Sequence, residues 1–545
     1  MFSRRMIRRY LYGVAGLAVL IALFYAEEDW RGKQDWELFK RAAEAKGERF
    51  DFSSFIPPPV PDDQNFAFTP IVSNSCVRVH QPNTNVLNLL DIRLNAHTDW
   101  KPWPTNDFQG NWQCGMEVDL EAFQTYYRTP VNPYWRTNRN SSARPNRYNS
   151  GDRRFVERYA TTPVNTNADP SVTNEFPVAP QPQSPAADVL LAWSKYDSAI
   201  EELRQASRLP YSRFPFNYDP EAPDNFSGVS LAPLSACGQL LRLRAVAELQ
   251  NGQNGKALDD VRLMLYLAKC HRGHWLSMGE LDSTLQPLWQ GLADHHWTDA
   301  QLAVIGEELA KFDFLSEYQT LVRSQCAWAI KKVDFGERRR SPDFWAAFYS
   351  GSGQYGNAHW GQILDAGELY LMPKGWFYQT DLAVAQWCQK SLLTDAEVGR
   401  RILSVEVAGR CDEGAKNNYQ HRWPCNFLAS RWFDNFAWYA EKTAFTQSSL
   451  DLARVACALE RHRLAQGEYP VTLEALAPWF RDKLPHDIIN GQPLHYRRTD
   501  DGRFLLYSVG WNGTDDGGIV VRQKNHLRAT LDMDKGDWVW PNPVN

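Results

Sequence analysis

Two short stretches of the sequence gather residue types that could bind a metal ion. The candidate ligands are Cys270, His271 and His274 in "CHRGHW", and Asp294, His295 and His296 in "DHHW". Thiolate and imidazole groups are common zinc ligands, but this spacing matches no established pair of ligands on a helix. The first stretch also lies where a helix is expected to end, a position that histidine favours. We therefore interpret both stretches as structural and predict no metal at them.

No motif for nucleophilic or phosphate chemistry stands in a fitting context. The closest is "GSGQYG" at Gly351–Gly356, which follows no hydrophobic strand and is better interpreted as a linker than as a phosphate loop. None of the nine cysteines belongs to a C-x-x-C pair, which argues against a zinc ribbon or a thioredoxin-like site. The sequence therefore predicts no catalytic residue and no cofactor, and it favours a non-catalytic role.

Length and composition set the scale of the fold. A chain of 545 residues exceeds what one core usually organises, so two or three folded units are expected. Hydrophobic residues make up 43% and charged residues 23%, which is typical of globular proteins. The net charge is only -5 and the basic residues form no stripe, so nucleic acid is not expected as a partner.

The N-terminus predicts a membrane anchor. Four arginines precede the seventeen uncharged residues "YLYGVAGLAVLIALFYA", which Glu27, Glu28 and Asp29 follow. By the positive-inside rule we expect a single-pass protein of the bacterial inner membrane, with a basic cytoplasmic tail at 1–9, a transmembrane helix at 10–26 and the bulk periplasmic. A cleaved signal peptide is the alternative, although a cut after Ala26 would place Phe24 at -3. "SRRMIRR" also suggests a twin-arginine signal, but its second half is charged.

In that compartment the cysteines would be open to oxidation. Cys411 and Cys425 flank a polar, loop-like stretch where a disulfide would close a short loop. Cys237, Cys326 and Cys457 fall within helical patterns and are interpreted as small buried hydrophobic residues. The odd number of cysteines leaves at least one thiol unpaired or paired elsewhere.

Composition and periodicity divide the rest of the chain into segments. We predict a helical stalk with a proline-rich hinge at 27–65, a small β-containing unit at 66–128 and an irregular connector at 129–185. A helical domain at 186–335 and an aromatic-rich helical region at 336–448 follow. Most of those aromatic residues are expected in the core, with a surface exposed to a partner or to the membrane interface as the alternative.

One helical hairpin in the central domain resembles a tetratricopeptide unit. The segment near 235–270 contains two helical patterns around an Asn/Gly turn, with Ala247, Ala257 and Leu258 near the turn. The resemblance covers about one 34-residue repeat and has no second clear copy, and one hairpin cannot build a solenoid.

The last hundred residues predict an α+β module at 449–545 that should fold alone. A helix with an apolar face stops at Gly467, Thr472 caps a short helix, and "LHYRR" and "FLLYSV" form strands joined by a turn at "TDDG". In its order of "G-x-YP", "LEAL", "LP", Gly491–Pro493, Tyr496 and "YSVG", the region 450–518 resembles the periplasmic part of the major pseudopilin of type II secretion.

The departures from that family limit what the resemblance implies. The prepilin signature is missing, and the module's helix carries Arg454, Glu460 and Arg461, so the protein should not polymerise as a pseudopilin does. The family holds a calcium ion in the loop after its last strands, which would make Asn512, Asp515 and Asp516 candidate calcium ligands here. An ordinary solvated Asp/Gly turn is the alternative.

Together these patterns predict a mixed fold: an N-terminal transmembrane helix, a mainly α-helical central region and a C-terminal α+β pseudopilin-like module. The expected function is a structural or protein-interaction component of the envelope, with the membrane and a possible envelope protein as partners. One alternative is an envelope enzyme with a site in the helical region, which converging His and carboxylate groups would indicate. The other is a secretion-apparatus accessory, which an exposed apolar patch on 450–466 would indicate.

Overall fold

The computed structural model describes residues 4–77, 108–129, 176–216, 229–271, 276–339, 371–420, 436–480, 483–523 and 530–543. These residues form fourteen α-helices and five short strands, so the described part of the chain is mostly helical with small C-terminal sheets. The helices of the first half are α1 Arg4–Glu44, α2 Pro70–Cys76, α3 Leu120–Arg128, α4 Pro185–Trp193, α5 Asp197–Ala206, α6 Ala232–Gln250 and α7 Asn254–Cys270. Those of the second half are α8 Leu276–Ala293, α9 Asp299–Leu309, α10 Phe314–Arg339, α11 Lys374–Ser391, α12 Asp395–Arg400, α13 Val405–Gln420 and α14 Phe436–Gln466.

Helix α1 begins as an apolar segment and continues without a break into the folded body. It is 41 residues long, and its apolar part is exposed along nearly its whole surface. After Glu27 the helix turns one face inward, and Trp36 and Ala43 are buried in a core with α10 and α11. This corrects the predicted stalk at 27–65, because its helical part packs against the body rather than standing clear of it.

The first core joins α2 to α7 with the segments between them. Its largest side chains include Tyr127, Phe176 and Trp193, whose rings meet edge to face, and Phe66, whose ring meets that of Tyr266 edge to face. The described parts of the predicted β-containing unit at 66–128 are helices and isolated bridges, and α3 is the helix expected at its end. The alternating runs that predicted strands lie almost wholly outside the described residues. Residues 78–107 lie outside the described residues, as does most of the predicted connector.

Helices α6 and α7 form the predicted hairpin. Gly252 stands between them with a φ of 71°, a conformation that glycine adopts without strain. Ala247 and Ala257 are fully buried where the two helices approach. The likeness to a tetratricopeptide unit is limited to this hairpin shape.

Helix α14 forms the centre of the second core. Residues 450–459 are buried apart from Arg454, because α8, α9 and α10 pack on the helix and the C-terminal sheet covers another part of it. The predicted module boundary between 448 and 449 therefore falls inside one continuous helix. Residues 436–448, assigned to the aromatic-rich region, belong to that same helix.

The third core connects α1, α10, α11, α13 and the first half of α14. Trp387 and Phe436 meet edge to face in it with ring centroids 5.4 Å apart, and both are buried. Described aromatic residues of the region 336–448 thus contribute to the core, while Trp438 keeps 40% of its surface exposed.

Two small antiparallel sheets end the chain. Strands β1 His495–Arg498 and β2 Phe504–Ser508 pair as predicted around the Thr499–Gly502 turn. Strand β5 Trp538–Trp540 joins the other edge of β2, while β3 Val520–Arg522 pairs with β4 Leu531–Gly536. Gly467 ends α14 with a φ of 86° as expected, and the short helix after Thr472 is a 3-10 helix at Leu473–Trp479.

Candidate functional site

A pair of glycines brings α1 and α11 into backbone contact. A Cβ added to Gly32 would lie 2.2 Å from the carbonyl oxygen of Gly375, and one added to Gly375 would lie 1.9 Å from the carbonyl oxygen of Glu28. Both distances are far below any real Cβ contact, so only residues without a side chain allow the two helices to cross this closely. We call this crossing, with its flanking residues 24–32 and 371–376, the anchor junction.

Hydrogen bonds fasten the anchor junction on both sides of the glycine pair. The Asp29 carboxylate accepts the backbone N–H of Gly375 at 2.8 Å, and the Glu28 carboxylate accepts the indole N–H of Trp376 at 2.8 Å. Helix α11 has Pro373 at its N-cap, whose side chain supplies no acceptor. Asp29 therefore caps α11 from another helix, and its negative charge lies at the positive end of the α11 dipole.

The anchor junction extends down α1 into the apolar segment. The Tyr25 hydroxyl donates a hydrogen bond to the Leu371 carbonyl oxygen. The Phe24 and Trp376 rings meet edge to face with centroids 6.4 Å apart. Among the described helices α1 is the one long and apolar enough to span a membrane, and its apolar window has no residue buried in the protein. The junction therefore couples a potential membrane span rigidly to the folded body.

His271, the first predicted metal candidate, is a buried structural residue. It lies at the C-cap of α7 with only 1% of its surface exposed, and its Nδ1 is 2.8 Å from the Leu267 carbonyl oxygen. Burial lowers the pKa of His271 and so favours its neutral form. The hydrogen bond to Leu267, rather than attraction between a charged imidazole and the helix dipole, therefore explains its position at the helix end. Burial also raises the pKa of Cys270 to about 12, which keeps this thiol protonated. His274 lies outside the described residues.

The second candidate group, Asp294 to His296, forms the turn that ends α8. The N–H of His296 bonds to the Gly291 carbonyl and that of His295 to the Leu292 carbonyl, which is the Schellman pattern of a helix end. His295 occupies the left-handed position of this pattern with a φ of 56°, where glycine is usual. A side chain at that position costs about 1 kcal/mol of backbone strain, so a compensating contact is expected.

That contact is with Glu460 of α14. The His295 Nδ1 lies 2.8 Å from Glu460 Oε1, and Glu460 is 2% exposed. Arg463 donates to both Glu460 oxygens at 2.6 and 2.9 Å, and the Tyr469 hydroxyl donates at 2.9 Å. Burial alone would raise the pKa of Glu460, but these donors, with Arg463 first, lower it below its usual range.

Sequence reasoning singled out His295 but not Glu460, Arg463 or Tyr469. The i, i+3 spacing of Glu460 and Arg463 on one helix was the available signal for an ion pair. An ionised Glu460 cannot act as a proton donor, and no described hydrogen bond joins the His295 imidazole to a serine, threonine or cysteine. The cluster closes the α8–α9 turn onto α14, and its geometry assigns it that structural role.

The three calcium candidates occupy the loop after β2, where each of them takes part in hydrogen bonds within the protein. Asp515 Oδ1 accepts the Tyr507 hydroxyl at 3.0 Å and the Gly517 N–H at 2.9 Å. Asn512 Oδ1 accepts the N–H of Thr514, and its Nδ2 donates to Asp516 Oδ2 at 2.9 Å. An amide donor points at the Asp516 carboxylate where a cation would require oxygen ligands.

A buried aspartate outside the predicted set organises this loop. Asp537 is fully buried, and its two carboxylate oxygens accept the N–H groups of Asp516 at 3.2 Å and Gly518 at 2.6 Å. Burial raises the pKa of Asp537 despite these donors. The carboxylates of Asp515 and Asp537 thus accept hydrogen bonds from N–H and O–H groups in and beside the loop, and this arrangement does not fit a calcium ion, which requires oxygen ligands.

Cys411 is a free, buried thiol inside α13, so the polar stretch predicted as a loop begins as helix. Its Sγ is 3.8 Å from the Tyr318 hydroxyl. The proposed partner Cys425 lies outside the described residues. Cys237, Cys326 and Cys457 are buried within α6, α10 and α14, which confirms the interpretation of these three as core residues.

Among the described residues no three His, Cys, Asp or Glu side chains come together in a way that could hold a metal ion. No protein-family model matches the chain, and no characterised protein or solved structure shows a significant similarity to it. The anchor junction is therefore the feature from which we argue a function.

Proposed function

We propose that this protein is a single-pass component of a bacterial inner membrane, with residues 1–9 in the cytoplasm, 10–26 in the bilayer and the body in the periplasm. In this proposal it acts as a non-catalytic structural or protein-interaction component. The orientation rests on Arg4, Arg5, Arg8 and Arg9 on one side of the apolar segment and three acidic residues on the other. The likeness of 450–518 to a pseudopilin domain is part of this proposal and has no other support.

The observation that carries the proposal is the continuity of α1 through the anchor junction. A segment removed as a signal peptide has no reason to contact the mature body. Here Phe24 and Tyr25, which would be removed by a cut after Ala26, contact Trp376 and Leu371. These contacts favour an anchor that stays attached and holds the body close to the membrane.

The features that would have favoured the two alternative functions are not found among the described residues. Converging His and carboxylate groups of the helical region would have indicated an enzyme, but Glu460 and His295 serve the closure of a turn. An exposed apolar patch on 450–466 would have indicated a docking face for pseudopilins, but residues 450–459 apart from Arg454 are buried within the chain's own core, and Leu464 is the one large apolar side chain exposed in the rest of that range. We therefore assign neither a reaction nor a pseudopilin partner.

Membrane topology tests the proposal directly. A reporter that is active only outside the cytoplasm, fused after Asn545, should be active, while the same reporter in place of residues 1–3 should be silent. The full chain should stay in the membrane pellet after a high-salt wash. Recovery of a soluble fragment beginning near Glu27 would replace the anchor with a cleaved signal, and an inactive C-terminal fusion would reverse the orientation.

A further inference from the structure

The anchor junction fixes the height of one surface of the body relative to the apolar segment. Leu371 leaves 74% of its surface exposed, although its backbone carbonyl is bonded to Tyr25 of α1. Trp376 is half-buried and touches Phe24, which is itself part of the apolar segment. The Leu371 carbonyl and the Trp376 ring therefore lie beside the last turn of that segment, whereas Gly375 lies beyond it, against Glu28 and Gly32.

The apolar segment is so short that its whole length, up to the level of Leu371, is needed to cross the bilayer. Seventeen uncharged residues at about 1.5 Å each cover about 25 Å, whereas the hydrocarbon core of a bilayer is about 30 Å thick. Every residue from Tyr10 to Ala26 is then needed to cross, and Phe24 and Tyr25 lie at the edge of the hydrocarbon.

The direction of the side chains places Leu371 at the same depth. Side chains of an α-helix point toward its N-terminus, which for α1 is toward the middle of the bilayer. The Tyr25 hydroxyl therefore lies no farther from the bilayer centre than its own backbone, and the Leu371 carbonyl is within hydrogen-bond reach of that hydroxyl.

The helix also prevents the body from moving away from this position. Helix α1 contains no proline between Arg4 and Glu44, and the glycine crossing with α11 holds the two backbones in contact. Trp30, with 69% of its surface exposed, stands about one and a half turns beyond Tyr25, in the headgroup layer. Exposed tryptophan, tyrosine and leucine side chains at this level match the composition of membrane interfaces.

We infer that Leu371, beside the half-buried Trp376, forms a second membrane contact and inserts at the boundary between the headgroups and the acyl chains of a phospholipid bilayer. The body then meets the membrane through two segments that are 346 residues apart in sequence at the Tyr25–Leu371 contact. This inference rests on the proposed function, because it requires α1 to span the bilayer.

Photocrosslinking of the full-length protein tests the inference. Leu371 is replaced with the photoreactive residue benzoylphenylalanine, and the protein is reconstituted in nanodiscs of phosphatidylethanolamine and phosphatidylglycerol before irradiation. The readout is a covalent phospholipid adduct detected by mass spectrometry. Because Leu371 is largely exposed and takes part in the junction through its backbone carbonyl, the replacement should leave the fold intact.

Two further sites serve as controls. Leu17, 59% exposed in the apolar segment, reports whether α1 is in the bilayer at all. Val471, 76% exposed, matches Leu371 in exposure but has no described hydrogen bond to α1. We expect lipid adducts at Leu17 and Leu371, with the yield at Leu371 at least tenfold above that at Val471.

Each other outcome overturns a defined part of the reasoning. Adducts at Leu17 with equal yields at Leu371 and Val471, whether high or low, would refute the second membrane surface and leave the anchor intact. An absence of adducts at Leu17 would refute the membrane span itself, and the inference would fall with it.

Discussion

Replacement of Gly32 with alanine tests the closest contact in the protein. The added Cβ would lie 2.2 Å from the Gly375 carbonyl oxygen and 2.8 Å from its Cα, and both are backbone atoms that cannot rotate away. An ordinary contact begins near 3.4 Å, so the two helices would have to separate by about 1.2 Å.

The energetic consequence is the balance of three effects. Alanine is favoured over glycine within a helix by about 1 kcal/mol. Overpacking against rigid backbone costs about 1–3 kcal/mol. Separation of the helices also stretches the Asp29–Gly375 and Glu28–Trp376 hydrogen bonds, and a bond to a carboxylate contributes about 1.5–3 kcal/mol. We expect Gly32→Ala to lower the free energy of unfolding by about 2–4 kcal/mol.

A matched control separates the junction from the general effect of the substitution. Gly409 is exposed within α13, and a Cβ added there meets nothing within 4 Å. Gly409→Ala should therefore raise stability by up to about 1 kcal/mol. Both variants would be melted in the same detergent micelles, with tryptophan fluorescence as the signal and wild type beside them. If Gly32→Ala melts at or above the temperature of Gly409→Ala, the tight crossing of α1 and α11 is wrong.

Three further predictions follow from the other clusters. Because the pKa of Glu460 is lowered in the folded state, its contribution to stability is fully present above its unfolded pKa and should be lost as pH falls from that value through the lower folded pKa. Glu460→Gln should therefore cost about 2 kcal/mol near neutral pH and flatten that acid dependence, whereas Glu468→Gln, whose ion pair with Arg498 is exposed, should change stability by less than about 1 kcal/mol. The melting temperature should be the same in millimolar calcium as in the presence of a chelator. A calcium-dependent rise in melting temperature that Asp515→Asn removes would instead support a metal site in this loop. The isolated fragment 449–545 should fail to give a cooperative melt by circular dichroism, because it would expose the α14 surface that α8, α9 and α10 cover, and a sharp transition would reinstate the module boundary.

Local patterns were sufficient where a structural element needs no distant partner to define it. The uncharged run after four arginines predicted the apolar helix, and alternating side chains around "TDDG" predicted the β1–β2 hairpin. Gly467 ended its helix as expected because the left-handed conformation at that position is a local requirement.

Elements whose burial depends on distant parts of the chain were not predicted. The stretch around Cys411 is polar apart from a narrow stripe at Val407, Ala408, Cys411 and Gly414, so it resembled a loop. That stripe is helical because it packs on α11, where a Cβ at Gly414 would lie 2.2 Å from the Trp387 ring. Strand β5 is only three residues long and exists through its pairing with β2.

The site shows the same division. His295 was visible in the sequence, but nothing local indicated that its partner would be Glu460, 165 residues later. Nothing in the local sequence distinguishes Gly32 and Gly375 from other glycines, because their close contact depends on the tertiary fold. The Asp/Gly loop attracted attention as a metal site, whereas Asp537, a distant residue of the C-terminal strands, completes its hydrogen bonds.

The arrangement of the helices explains why the anchor junction bears on the whole body. Helix α11, which crosses α1, also packs on α10 and α13, and both of these pack on α14. Helix α14 in turn supports the C-terminal sheet, and Trp289 of α8 donates a hydrogen bond to the Pro541 carbonyl at 2.7 Å. Packed interiors transmit displacement rather than absorb it. A displacement of α1 at Gly32 and Gly375 would therefore be transmitted through α11, α10, α13 and α14 to the C-terminal sheet.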